Sequence, residues 1–210
     1  MQASVRSGLW PVVKRTIDVF ASAVALLLLA PFLGLVALAV VLDSGGPVLF
    51  RQLRVGAGLE DFTVMKFRTM HRDTPEEPHR EYISRLVHGE VDPEGLKKLT
   101  DDPRITRVGR MLRKTSLDEL PQLLNVLRGA MSLVGPRPAL RYELEYYEPR
   151  HFERFSVKPG ITGLWQVSGR NELGFHEMLD LDVEYARRSG PLLDLKIIAK
   201  TPVAAVQGAA

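Results

Sequence analysis

From Val19 to Leu42 the chain runs for 24 residues without a charge, VFASAVALLLLAPFLGLVALAVVL, and about 20 such residues suffice for a helix to cross a hydrocarbon core. The segment is expected in lipid. It exceeds the roughly 7–15 residue apolar core of a removable leader, and no small-residue cleavage site precedes polar sequence, so it is expected to be retained. Pro31 stands in its middle and Gly34 follows closely. A proline removes one backbone donor and clashes with the carbonyl four residues back, here that of Leu27, which favours a kink. Basic residues lie on both flanks, Lys14 and Arg15 before and Arg51 and Arg54 after. The positive-inside rule is therefore met equally well if both ends stay on one side. A kinked, re-entrant helix is expected, against the simpler alternative of one tilted spanning anchor in which Pro31 is merely tolerated.

After Gly45-Gly46-Pro47 the pattern changes. VLFRQLRV and DFTVMKFRTM flank Gly56-Ala57-Gly58 and read as a β-hairpin, with Phe62, Val64, Met65 and Phe67 interleaved with Lys66 and Arg68. Residues 71–102 are polar, with Pro75, Pro78 and Pro93, and are expected to hold short helices at 79–88 and 94–99. Leu120, Leu123, Leu124 and Leu127 recur at helical spacing between Leu117 and Arg128, and Gly129 is a natural terminator. The segment SLVGPRPA then reads as a loop. Further helices are expected at 139–148, 174–188 and 191–206, with KPGITGLWQVSGRN between them as a glycine-rich loop holding one short extended piece. The cluster Tyr142, Tyr146 and Tyr147 reads as packing. The expected fold class is α+β and mainly helical: residues 1–46 form the membrane-inserted helix and 47–210 a compact domain lying on the membrane surface with a small β-hairpin.

Charge and composition narrow the chemistry. The chain has 28 Lys+Arg against 25 Asp+Glu, a formal net charge of +3, too small an excess for a duplex nucleic-acid partner, whose binding rests on neutralising many phosphates. Cysteine is absent, which removes disulfides, thiolate metal sites and thiol nucleophiles. The five histidines form no H-x-x-x-H or H-E-x-x-H pair, so zinc is not expected. No G-x-S-x-G elbow occurs, and the glycines form no nucleotide fingerprint. Arg104, Arg107, Arg110 and Arg113 recur every third residue with no acid among them. They make either a solvated helical face or a contact with lipid or substrate phosphates.

Ser116-Leu117-Asp118-Glu119 stands at the start of the clearest helix, and Pro121 fits only a first turn. Two readings stay open. Ser116 and Glu119 satisfy an S-x-x-E capping box, and acids at a helix start are favoured by its dipole. Alternatively, the orphan N–H groups and nearby arginines keep Asp118 ionised as a carboxylate nucleophile beside an anion site. Gly135-Pro136-Arg137-Pro138 sets one guanidinium on a stiff backbone, suited to phosphate oxygens or simply to a rigid turn. Gly169-Arg170-Asn171 offers a second loop arginine. Asp118 and Glu119, with Asp182 or Asp194 as additions, could give oxygen ligands to Mg²⁺.

Taken with KRTIDV, GPVLFRQLRVG, FTVMKFRTM, LRKTSLDELPQLLNVLRGAMSLVGPRP, VKPGITGLWQVSGRN and LDVEYARRSGPLLDLKII, the chain resembles the bacterial sugar transferases of the monotopic polyprenyl-phosphate phosphoglycosyl transferase family, nearly end to end and in the form of their catalytic core. The resemblance implies transfer of a sugar 1-phosphate from a UDP-sugar to undecaprenyl phosphate at the cytoplasmic face of the bacterial inner membrane, as the first membrane step of glycoconjugate or exopolysaccharide synthesis. UMP is released. It further implies that Asp118 is a covalent nucleophile, that Glu119 assists through Mg²⁺ or positioning, and that Arg137 contacts phosphate. Lys66, Arg68, Arg113 and Arg170 fall in matching K-F-R, L-R-K and G-R-N positions. Where the family has a Ser-Pro break this chain has Ala30-Pro31. A homodimer is left open. The rival readings are a non-catalytic, membrane-anchored adaptor that binds anionic lipid, and a membrane phosphohydrolase with water as acceptor.

Overall fold

The computed structural model describes residues 9–72, 84, 87, 102–169 and 173–207. Its longest element is helix α1, Trp10–Ser44, which begins upstream of the apolar run because Pro11 suits a first turn, and which contains Pro31. It ends at Gly45, whose φ of 73° is accessible without a Cβ clash. Asp18, Ser22, Val36 and Val40 are buried on it. Most of the rest is bare: Phe20, Leu27, Leu28, Leu35, Leu38 and Leu42 are 56–78% exposed. So continuous an apolar surface suits lipid rather than water, and among the described residues α1 is the one helix long and apolar enough to cross a membrane.

Strands β1, Leu49–Val55, and β2, Asp61–Phe67, form the expected antiparallel hairpin, with Leu49 opposite Phe67 and Val55 opposite Asp61. Val64, Met65 and Phe67 are buried. Phe67 packs with Leu112 and with Val36 and Val40 of α1, while Val64 packs with Val126 and Met131.

Helix α2, Arg107–Lys114, starts at Thr106, whose Oγ1 accepts the Gly109 N–H at 2.9 Å. The basic stripe is thus split. Arg104 precedes the helix and grips Asp102 through Nε at 2.8 Å, so the acid missing from the stripe comes from just before it. A Cβ on Gly109 would stand 2.1 Å from the Thr69 carbonyl oxygen, which lets α2 lie directly on the chain leaving β2.

The helix expected from Leu117 to Arg128 is divided. Leu117–Glu119 forms one 3-10 turn and helix α3 spans Gln122–Arg128. The division falls at Pro121, which cannot donate to the turn before it. Gly129 (φ 85°) closes α3, and Arg15 of α1 donates to the Val126 and Leu127 carbonyls at 2.5 and 2.8 Å, satisfying orphan acceptors at the helix C-terminus with a cation.

SLVGPRPA is not wholly a loop. Strand β3, Ser132–Val134, pairs in parallel with β4, Gly160–Thr162. The pairing depends on two glycines, since a Cβ on Gly160 would meet the Gly135 nitrogen at 2.0 Å and one on Gly135 the Lys158 oxygen at 2.3 Å. The helix expected at 139–148 is instead a 3-10 segment, Arg141–Tyr146, followed by a second, Pro149–Ser156; the proline favours an extended residue before it and so separates the two. Helices α4, Phe175–Arg188, and α5, Pro191–Gln207, follow expectation closely. The tyrosines pack as expected, around Phe175 and Leu179. Of the helices expected at 79–88 and 94–99, Ser84 and Val87 are helical and the remainder lies outside the described residues.

Residues on both sides of Pro31 hold the same domain. Asp18 accepts the Leu133 N–H at 3.1 Å, Lys14 meets Asp194 of α5 at 2.5 Å, and Asp43 accepts the Val108 N–H at 2.8 Å.

Candidate active site

Lys66 leaves β2 half-buried and places its Nζ 2.5 Å from Glu119 Oε1. This is a correction to the capping-box reading. Ser116 makes no cap bond and sits in the left-handed region with φ 55°, and the Glu119 carboxylate that would have reached back to it is held by a lysine of another element. The tight turn instead presents Asp118 and Glu119 side by side between α2 and α3.

Burial pushes the Asp118 carboxyl up to about 6; the Lys66 charge opposes this, the Glu119 carboxylate adds to it and Arg113 opposes it again. Lys66, Glu119 and Arg113 are therefore its electrostatic neighbours. Arg113 is aimed from the last turn of α2 by its Nε bond to Thr69 Oγ1 at 2.8 Å, which is the consequence of the close docking at Gly109. The dyad turn is fixed over the hairpin by Asn125 of α3, a residue the apolar pattern does not reveal. Its Oδ1 accepts the Met65 N–H at 3.1 Å and its Nδ2 donates to the Thr63 carbonyl at 2.6 Å.

The Pro136-Arg137-Pro138 loop follows β3. Arg137 is not a bare surface arginine, because its Nη1 lies 3.0 and 3.1 Å from the two carboxylate oxygens of Glu143. Glu143, 1% exposed, also accepts the Leu140 N–H at 2.9 Å. Although burial works the other way, the charges of Arg137 and Arg54 hold Glu143 below the usual carboxylate range. Beneath the loop, Arg154 donates to the Arg137 carbonyl at 2.6 Å and to Asp182 at 2.5 Å. Arg54 donates to the Pro138 carbonyl at 3.1 Å and to Gln52 Oε1 at 2.6 Å. Burial, reinforced by the Arg137 charge, brings Arg54 down to about 10, while Glu143 and, more weakly, Glu119 oppose this. Arg54 thus stands where the fields of the Arg137 loop and the dyad overlap. In the sequence it is only one more flanking cation; its pairing partner lies across the chain at Pro138.

Of the residues expected in the site, Asp118, Glu119, Lys66 and Arg113 come together. Arg137 pairs with Glu143 in a neighbouring cluster, whose Arg54 is within the field of Glu119. Arg68 follows β2, and its buried Nε has no hydrogen-bond partner among the described residues. Arg170 lies outside the described residues. Asp182 and Asp194 do not add to the dyad: Asp182 is 2% exposed and paired with Arg154, and Asp194 serves Lys14 and the Tyr185 hydroxyl. Among the described residues no group of three or more acids or histidines could enclose a metal ion. Two adjacent carboxylates beside cations remain, a donor set that suits Mg²⁺ only when substrate phosphates complete the shell.

A carboxylate pair beside Lys66 and Arg113, with Arg54 and Arg137 in the neighbouring cluster, has the charges to handle phosphate. The model of one family, described as bacterial sugar transferase, matches residues 9–208. The chain belongs to the bacterial sugar transferase family. It is 42% identical over 188 residues to the exopolysaccharide production protein ExoY of Rhizobium meliloti, covering 90% of this chain and 83% of that one. It is 43% identical over 200 residues to the UDP-glucose:undecaprenyl-phosphate glucose-1-phosphate transferase of Caulobacter vibrioides, covering 90% and 67%. It is 42% identical over 188 residues to the undecaprenyl-phosphate galactose phosphotransferase of Salmonella typhimurium, where it covers 90% of this chain and 39% of that protein. The sugar-transferase match takes in α1, the hairpin, the dyad turn and the Arg137 loop alike.

Proposed function

We propose that this protein transfers a sugar 1-phosphate from a UDP-sugar to undecaprenyl phosphate, with Asp118 as covalent nucleophile. The observation that carries the reading is the dyad turn, in which a half-buried Asp118 is set beside Glu119, Lys66 and Arg113. The named activities of the Caulobacter and Salmonella relatives agree with it.

In the first step an Asp118 oxygen attacks the β-phosphorus of the UDP-sugar. The bond from that phosphorus to the bridging oxygen breaks, and UMP leaves with the oxygen and its electron pair. Asp118 then carries the sugar phosphate. In the second step a phosphate oxygen of the lipid attacks the same phosphorus, the bond to Asp118 breaks, and the carboxylate is regenerated with a polyprenyl-diphosphate sugar as product. Lys66 and Arg113 neutralise the oxygens of the phosphoryl group in transfer, and Arg137, held by Glu143, is poised to receive the second phosphate. Asp118 and Glu119 would hold Mg²⁺. When bound, that ion supplies Lewis-acid charge to the diphosphate.

The site is read as lying at the cytoplasmic face, with α1 re-entrant. Support comes from the contacts of Lys14 and Asp18 before Pro31, and of Val36, Val40 and Asp43 after it, with a single domain. Protein given a UDP-sugar and Mg²⁺ without lipid is expected to gain the mass of one sugar phosphate at Asp118 and to release about one equivalent of UMP. Intact-mass measurement after rapid quench checks this, with Asp118→Asn as control. Lipid-dependent turnover with no adduct from any competent UDP-sugar would favour direct attack by the lipid phosphate instead.

A further inference from the structure

Next to the dyad turn is a cavity of about 420 Å³ that the phosphoryl chemistry does not use. Ser116 and Glu119 contribute to its lining, so it adjoins the reacting groups, but its walls are aliphatic: Leu120 and Leu123 of α3, Ile161 of β4, and Ile198 and Ala205 of α5. The volume falls within the roughly 300–1,000 Å³ of small-molecule sites. Among the described residues no cation and no aromatic ring lines it, whereas a nucleoside asks for stacking surfaces or convergent polar groups. The one amide present, Gln166, is turned to backbone. Its Nε2 donates to the Ile161 carbonyl at 3.3 Å, and its Oε1 is buried with no hydrogen-bond partner among the described residues.

The cavity also borders an outer apolar surface. Ile198 lines it and is yet 45% exposed, and along α5 Leu192, Leu195 and Val203 are 59–75% exposed. Lys196 and Lys200 are exposed next to this strip, as suits a helix lying at a lipid headgroup level. At its start α5 is tied through Asp194 to Lys14 of α1, the apolar helix. An apolar path therefore leads from the dyad, through the cavity, to the exposed apolar side chains of α5.

The geometry points to this cavity as the seat of the first isoprenyl units of a polyprenyl phosphate, with the phosphate at the dyad and the rest of the chain leaving past α5 into the bilayer. The inference rests on the proposed transfer reaction and adds the place of its acceptor. Because the bilayer is as apolar as the cavity, entry gains little affinity. What the cavity supplies is position, aligning the lipid phosphate for attack on phosphorus.

The test uses the whole protein in nanodiscs of phosphatidylethanolamine and phosphatidylglycerol, with a diazirine-bearing farnesyl phosphate as probe and peptide mapping as readout. Labelling is expected on peptides containing Leu120–Leu123 or Ile198–Ala205, reduced at least fivefold by undecaprenyl phosphate but by neither UDP nor phosphatidic acid. Labelling elsewhere, or loss of label to UDP as for a nucleoside site or to phosphatidic acid as for a general lipid site, overturns the inference. As a second measure Ala205→Phe narrows the cavity and is expected to lower kcat/KM for undecaprenyl phosphate at least tenfold, with kcat/KM for the UDP-sugar within twofold. An unchanged acceptor kcat/KM in the folded variant overturns it, and Ile198→Trp, on a half-exposed position, replaces that variant if it does not fold. The two readings fail separately. Competed labelling without UMP release would keep the cavity and remove the transferase reading, whereas turnover with no cavity labelling would do the reverse.

Discussion

At Asp118 burial favours the protonated carboxyl, Lys66 and Arg113 favour the carboxylate, and the balance lies at about 6. Two expectations follow from the sign of that shift. The proposed attack by Asp118 requires the carboxylate, so the rate of adduct formation should fall about tenfold per pH unit below 6 and level off above it, as read by quenched intact-mass time courses. The folded-state value is raised above the ordinary aspartate value of 3.8, so ionised Asp118 costs stability above pH 6, and this cost disappears as pH falls from 6 towards 4. Asp118→Asn removes the cost. It should therefore be inactive yet at least as stable as wild type at pH 8, by up to about 1 kcal/mol after allowance for solvent screening, with the advantage vanishing near pH 4 in thermal melts. A plain helix cap behaves oppositely, since its loss costs roughly 0.5–2 kcal/mol. Removal of Mg²⁺ by excess EDTA should abolish turnover, because two carboxylates alone leave the diphosphate charge unbalanced; full activity in EDTA would count against the ion.

The elements matter to the site through how closely their backbones approach. Helix α2 can rest on Thr69 only because residue 109 has no side chain, and this contact aims Arg113. Gly109→Ala should cost about 1–3 kcal/mol, the usual toll of overpacking against an unyielding neighbour. It should also reduce adduct formation more than it reduces UDP-sugar binding, because Arg113 is displaced while the remaining phosphate contacts stay. Denaturant titration and quenched mass kinetics on one sample separate the two effects. Asn125 works likewise between α3 and β2. Its two backbone bonds replace those that neighbouring elements would otherwise lack, so Asn125→Ala should cost about 1–3 kcal/mol through unsatisfied buried groups.

For the molecule as a whole, the question is how a long apolar helix and a polar domain share one membrane. Contacts before and after Pro31 with one domain predict that both ends of α1 stand on the same side. The chain has no cysteine, so single cysteines at Ala3 and Glu60 can be probed with an impermeant reagent in intact cells. Neither position should label until the cells are opened. Labelling at position 3 alone would mean a spanning helix. Pro31→Ala restores the missing backbone donor to the Leu27 carbonyl and should shift the population towards that outcome.

The chain by itself determined what depends on near neighbours. An uncharged run of helix length, the alternation around Gly56-Ala57-Gly58, the termination at Gly129 and the helices of the last 35 residues are local consequences of solvation, turn chemistry and periodicity. The dyad, Lys66 and Arg113 were legible as motif positions. Tertiary structure alone decided their partners. A capping box and a lysine ion pair use the same Glu119, and only the hairpin crossing beneath the turn makes the lysine the nearer choice. Arg54 reaches the Pro138 carbonyl across more than eighty residues of chain, and Gly135 meets Gly160 at a spacing that no local pattern encodes. Such pairings depend on which backbones lie within hydrogen-bond reach once α1, the hairpin and α3 have packed. Sequence separation carries no trace of that distance.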